Sequence, residues 1–181
     1  ADGQCVAQNG HYIAPVPVIA WPAWARQTIN IKRELGAEDF AIPADPGRQT
    51  MQAAVLRPFH WADDFLVETL PVHGGQVQRD TSQCITKFAV VDRYSGQGRV
   101  GRMFWRGCGP RTPDTAVGCS VAHDQHNIWV VGSSDAAMAQ VVNQIRKQHG
   151  GWALVRDNTV LATVRYEVGG LMTARPAEVL D

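Results

Sequence analysis

The sequence predicts an α+β fold: a mainly antiparallel sheet with few helices, preceded by a hairpin. Three observations predict it. Short runs rich in Val, Ile, Thr and aromatic residues recur along the chain; turn residues separate them; one amphipathic helical pattern interrupts them towards the C-terminal end.

The first element is a hairpin. Cys5-Val6-Ala7-Gln8 and His11-Tyr12-Ile13 flank Asn9-Gly10, and Asn-Gly supplies the two positive-φ positions that a type I′ turn requires. Pro15, Pro17 and Pro22 follow. Each removes a backbone donor and blocks helix, so residues 15–27 read as a linker. Strand-like runs come next at Thr50–Leu56, Phe65–Val72, Lys87–Tyr94, Arg99–Trp105, Val117–Ala122 and Ile128–Val131. His73-Gly74-Gly75 and Ser95-Gly96-Gln97-Gly98 punctuate them. The helix begins after Ser133-Ser134-Asp135, whose side-chain oxygens suit the orphan amides of a first turn. Met138, Val141, Val142 and Ile145 share one face, and Gln140, Asn143, Gln144 and Lys147 share the other. Gly150-Gly151 is the expected stop. Trp152–Arg156 and Thr159–Tyr166 then form a hairpin about Asp157-Asn158.

Charge narrows the partners. Lys plus Arg and Asp plus Glu both total 17, and no long run of like charge stands out, so neither a nucleic-acid surface nor an acidic-lipid surface is indicated. No apolar run approaches the ~20 residues of a membrane span, and no signal-peptide pattern opens the chain. A cytoplasmic protein with reduced cysteines is the expectation. The first residue is Ala, not Met, so a processed, tagged or excised polypeptide is the expectation.

Most of the polar chemistry is concentrated in Gly118–Gly132, GCSVAHDQHNIWVVG. His123, Asp124 and His126 form an H-D-x-H set, donors that zinc, manganese or iron accepts, with His73 or Asp92 as candidate further ligands. The same residues also suit a docking turn or a polar turn that braces its own backbone. Cys119 and Cys108 raise a nucleophile reading, but four extended residues place Cys119 ~13 Å from His123, and a buried structural thiol fits better. Gly96-Gln97-Gly98 and Gly107-Cys108-Gly109 lack the Lys-Ser/Thr of a phosphate loop and read as turns. Arg99, Arg102 and Arg106 beside Phe104 and Trp105 could stack a base, yet the same alternation describes a half-buried strand.

The segment Ala122-His123-Asp124-Gln125-His126-Asn127-Ile128-Trp129-Val130-Val131-Gly132 resembles the C-terminal region of bacterial adenine deaminases, members of the metal-dependent amidohydrolase superfamily. So do residues 28–45 with Glu38-Asp39-Phe40, residues 87–93 (KFAVVDR) and residues 169–178 (GGLMTARPAE). The resemblance implies that residues 1–14 end a β-sandwich-like domain, 15–27 link it, and 28–181 form the adenine deaminase C-terminal-like domain. It further implies a parent reaction, adenine and water to hypoxanthine and ammonia, at a Mn, Fe or Zn centre in a (β/α)8 barrel. That barrel would be this domain's partner, with a second copy of the chain as a further one. His123, Asp124, His126 and Asn127 would then serve docking or the mouth of the active site. The chain holds no H-x-H and is shorter than a barrel of ~250 residues. It is therefore expected to be inactive alone and to carry no catalytic residue or cofactor. The contrasting expectation is a stand-alone, non-enzymatic binding or assembly module.

Overall fold

A computed structural model describes residues 3–15, 20–57 and 64–176. Residues 16–19 of the expected linker, and 177–181 at the end of the expected domain, lie outside the described residues. Two short strands, β1 (Ala7–Gln8) and β2 (His11–Tyr12), form the opening hairpin. Asn9 and Gly10 take φ 52° and 79°, as the turn chemistry requires, and residues 3–13 are all exposed. The end of the expected linker is more than a spacer. Ala23–Arg26 make one 3-10 turn after Pro22, Ala25 is buried, and its carbonyl accepts from the Gly169 amide at 2.6 Å.

Among the described residues the body is one sheet of nine strands: β3 (Thr50–Arg57), β4 (Asp64–His73), β5 (Gln76–Val77), β6 (Ile85–Val91), β7 (Val100–Arg106), β8 (Thr115–Cys119), β9 (Ile128–Gly132), β10 (Gly151–Arg156) and β11 (Thr159–Arg165). The strand order is β11-β10-β8-β9-β6-β7-β3-β4-β5. Pairing is antiparallel except between β3 and β7, where Val55 faces Phe104 and Leu56 faces Trp105 in parallel. With α1 (Asp135–Lys147) as its α-helix, the architecture is the expected α+β. Two strands end earlier than their sequence suggests. Asp92 accepts from the amides of Tyr94 (2.9 Å) and Ser95 (3.2 Å), and this Asx turn stops β6 at Val91. β8 stops at Cys119, because the chain bends at Ser120, whose hydroxyl accepts from the Gly151 amide at 2.7 Å.

Helix α1 packs on β8, β9 and β10. Met138, Val141, Val142 and Ile145 are fully buried, so the predicted apolar face is the observed one. Two glycines let it approach. A Cβ on Gly118 would meet Val141 at 2.8 Å, and one on Gly132 would meet Met138 at 2.6 Å. Ile29, Ile31, Leu35 and Phe40 extend this core alongside the helix. A second cluster of Val55, Leu70, Val77, Ile85 and Phe104 fills the β3–β5 end.

Two expectations about α1 are corrected. Asn143 does not simply face water: its side chain accepts from the Leu35 amide (3.0 Å) and donates to the Leu35 carbonyl (2.9 Å), tying the 29–40 segment to the helix. The helix also stops earlier than the glycine pair. His149 is the left-handed residue (φ 63°), the Gly150 amide closes on the Ile145 carbonyl at 2.9 Å, and Gly151 already opens β10.

Candidate functional site

The connection from β8 to β9 is short and held on several sides. The Ala122 carbonyl accepts from the amides of Gln125 (3.1 Å) and His126 (2.6 Å), and His126 takes the left-handed conformation at φ 52°. Asn127 accepts from the Arg93 amide at 3.3 Å and donates to the Gln125 side chain at 2.7 Å. The Tyr94 hydroxyl donates to the His126 carbonyl at 3.1 Å. On the strand side, the Trp129 indole donates to the Val121 carbonyl at 3.2 Å. Two motifs distant in sequence, Asp92-Arg93-Tyr94 and His123–Asn127, therefore meet at one end of the sheet. Arg93 is buried beneath them, its guanidinium 5.1 Å from the centre of the Tyr94 ring.

The four sequence-predicted residues divide by orientation. His123 and Asp124 point outward, with side chains 97% and 94% exposed, and contact one another through Nδ1 and Oδ1 at 3.0 Å. At His126 and Asn127 it is the backbone carbonyl and the side-chain amide, respectively, that join the bracing network. The turn thus offers the His123 imidazole and the Asp124 carboxylate outward on a hydrogen-bonded base. An imidazole beside a carboxylate suits polar recognition or proton exchange.

The candidate metal ligands do not converge. Among the described residues, no group of three or more His, Cys, Asp or Glu is placed to hold an ion. His73 ends β4, four strands from β9 in the sheet order and so ~19 Å away at the usual strand spacing. Asp92 lies near the turn, but its carboxylate is engaged by Ser95, by the Tyr94 amide and, at 3.8 Å, by Arg99. The Ser95 hydroxyl is the main reason that its acid sits below the usual carboxylate range.

The nucleophile reading meets the same end. Cys119 is fully buried, and that burial pushes its thiol up to about 11, although its sulfur accepts from the Val121 amide at 3.2 Å. A thiolate there is disfavoured. Cys108 serves through its carbonyl, which accepts from the Thr86 hydroxyl at 2.5 Å. Nor do the arginines form a stacking platform. Arg102 donates to the Ala41 carbonyl at 2.8 Å, and Arg106 pairs with Glu68 at 2.5 Å.

Sequence reasoning missed one cluster. Lys87, only 2% exposed, donates to both carboxylate oxygens of Asp135 (2.7 and 2.8 Å) and to the Phe40 carbonyl (2.8 Å). Arg79 pairs with the same carboxylate and donates to the Ser133 carbonyl at 2.6 Å. Asp135 also sits in the first turn of α1, where the helix dipole favours an anion. Burial lowers the pKa of both cations, and Asp135 opposes that shift. The signal in the sequence was a lysine inside an apolar strand run. Nothing in the local pattern named its partner.

The sequence matches the family described as adenine deaminase C-terminal domain over residues 63–181. The chain belongs to that family. It is 66% identical over 181 residues to adenine deaminase 1 of Bradyrhizobium sp. (strain ORS 278), covering all of this chain and 29% of the relative. Adenine deaminase 2 of Jannaschia sp. (strain CCS1) is 62% identical over the same span. Adenine deaminase of Moorella thermoacetica is 36% identical over 179 residues, 98% of this chain and 30% of that protein. The chain therefore spans under a third of the length of these relatives, as an accessory domain of a larger protein does. Among the described residues no helix is long and apolar enough to cross a membrane.

Proposed function

We propose that this chain is the accessory domain of an adenine-deaminating hydrolase, with the catalytic barrel in the region of the relatives that it does not span. The observation that carries the proposal is the identity of 66% over the whole chain with a protein named adenine deaminase, only 29% of which is covered. In this reading residues 1–14 end a β-sandwich, 15–27 link, and 28–181 form the domain. In that barrel a Mn, Fe or Zn centre would activate water for attack on the amino-bearing carbon of adenine, with ammonia as the leaving group. The His123–Asn127 turn is the docking or active-site-mouth element. Its outward His123 and Asp124, set on a braced loop, support that role.

Two measurements test the reading. The 181-residue chain should not deaminate adenine with Mn2+, Fe2+ or Zn2+ present; turnover that a chelator abolishes would overturn it. In the full-length polypeptide, His123→Ala, Asp124→Ala and His126→Ala together should cut adenine turnover at least tenfold, about 1.4 kcal/mol in the barrier, while the melting temperature of the isolated chain holds. A lower melting temperature with normal turnover would make the three residues braces only. Melting that rises with added Mn2+ or Zn2+ in the wild type alone would make them metal ligands.

A further inference from the structure

The sheet has a second face. Gly118 and Gly132 turn their Cα hydrogens towards α1, so their strand neighbours point the opposite way by the two-residue period of a strand. Cross-strand register then places Trp152, Trp129, Phe88 and Trp105 together on the face away from the helix. Their rings touch in series. Trp152 and Trp129 meet edge to face at 5.2 Å, Trp129 stacks on Phe88 at 6.4 Å, and Phe88 meets Trp105 edge to face at 4.6 Å. Through Leu56, paired with both Trp105 and Phe65, the same face continues to β4. There Phe65 and Val67 are 58% and 69% exposed. The connection after β7 crosses this face at one end, where Gly109 lies against Val131 and Thr86.

The face is broad and apolar. From β10 to β4 it spans six strand spacings, ~29 Å, and four residues along each strand give ~13 Å, on the order of 400 Å² in all, of which the part at Cys119 and Val131 is already buried within the chain. On a soluble chain an apolar patch of a few hundred Å² is often a functional contact surface. Its size distinguishes the occupants. A contact between domains of one chain buries about 300–750 Å² on each side, whereas a standard association of separate proteins takes ~800 Å² from each partner.

We infer that this aromatic face is the seat of the rest of the same polypeptide, the larger part of the adenine deaminase length that this chain does not span. The inference rests on the accessory-domain reading and adds the surface to it. An apolar layer is the chemistry that fits, since Trp152, Trp129, Phe88, Trp105, Leu56 and Phe65 carry no charge and Arg156 shares the face only at the far end of β10. The face is also continuous with the His123–Asn127 turn, because Trp129 holds the Val121 carbonyl at the base of that turn. A domain seated on the rings thus reaches His123 and Asp124 at its rim.

Hydroxyl-radical footprinting tests this, comparing the 181-residue chain with the full-length polypeptide at concentrations where sedimentation shows the short chain to be monomeric. Modification of Phe65, Trp129 and Trp152 should slow by about fivefold or more in the full-length protein. Equal rates in the two would overturn the inference. Protection that appears in the short chain only as it dimerises would assign the face to a second copy and overturn it too. Adenine turnover by the same full-length sample keeps the readings apart. Turnover with an unprotected face sinks the docking surface alone, and a protected face without turnover sinks the deaminase reading while the docking surface stands.

Discussion

Replacing Asp135 with alanine is expected to destabilise the chain by about 3–5 kcal/mol, because it strands the buried Lys87 and the partly buried Arg79 at once. Lys87 is 2% exposed and Arg79 13%, and Asp135 is the carboxylate that pairs with both. A domain of this size is stable by roughly 5–15 kcal/mol, so the loss is a large share of the total. Urea unfolding should show the midpoint falling at unchanged slope. Replacing Lys87 with Met in the same background should recover part of the loss by removing one of the unpaired charges. The pH dependence has a definite sign. Burial lowers the folded-state pKa of Lys87 below its ordinary 10.5, so between those two values the unfolded chain binds the extra proton and stability rises with pH. Without Asp135 to oppose it, the window opens at lower pH, and the variant should regain stability as the pH is raised towards 10.5. A midpoint unchanged by Asp135→Ala would show that the cluster contributes nothing to the fold.

What could be read from the sequence was what is local. Asn9-Gly10 and Asp157-Asn158 dictate their hairpins through positive φ, and the structure gives Asp157 and Asn158 φ of 48° and 62°. The helix declared itself by period and by Ser134, whose hydroxyl accepts from the Ala137 amide. The larger misses are non-local. β5 is two residues long and exists because Val77 pairs with Val72 and fills the second core cluster. The parallel neighbours β3 and β7 are joined by no short turn, so no turn signal could announce them. Asn143 reads as polar surface until Leu35 is brought against it. The candidate site divides in the same way. Its polar density marked it in the sequence, but only tertiary partners separate the outward His123 and Asp124 from the bracing Asn127. The aromatic face was legible residue by residue and not as a face, because its rings come from five strands that register alone aligns.

Val142→Asp should unfold the chain or render it insoluble. Val142 has no exposed surface and lies in one cluster with Met138, Val141 and Ile145 from the helix and Ala116, Val130 and Ala153 from the sheet. A carboxylate placed there finds no cation in that cluster, and burying it unpaired costs several kcal/mol. It cannot easily escape to water by a shift of the helix. Gly118 and Gly132 bring the strands so close to α1 that a single Cβ on either would collide with Val141 or Met138, and at such a distance a displacement large enough to solvate the new charge separates the whole interface. The helix is also fastened at both ends, by Asp135 to Lys87 and Arg79 and by the Gly150 amide to the Ile145 carbonyl. Val142→Ala at the same place keeps the pairing of polar groups intact and should cost only the lost methyls and their cavity, about 1–3 kcal/mol. Thermal melting of the two variants therefore separates charge burial from packing. If Val142→Asp melts within a few degrees of Val142→Ala, water reaches the face of α1 that contacts the sheet, and the packing described for this core is wrong.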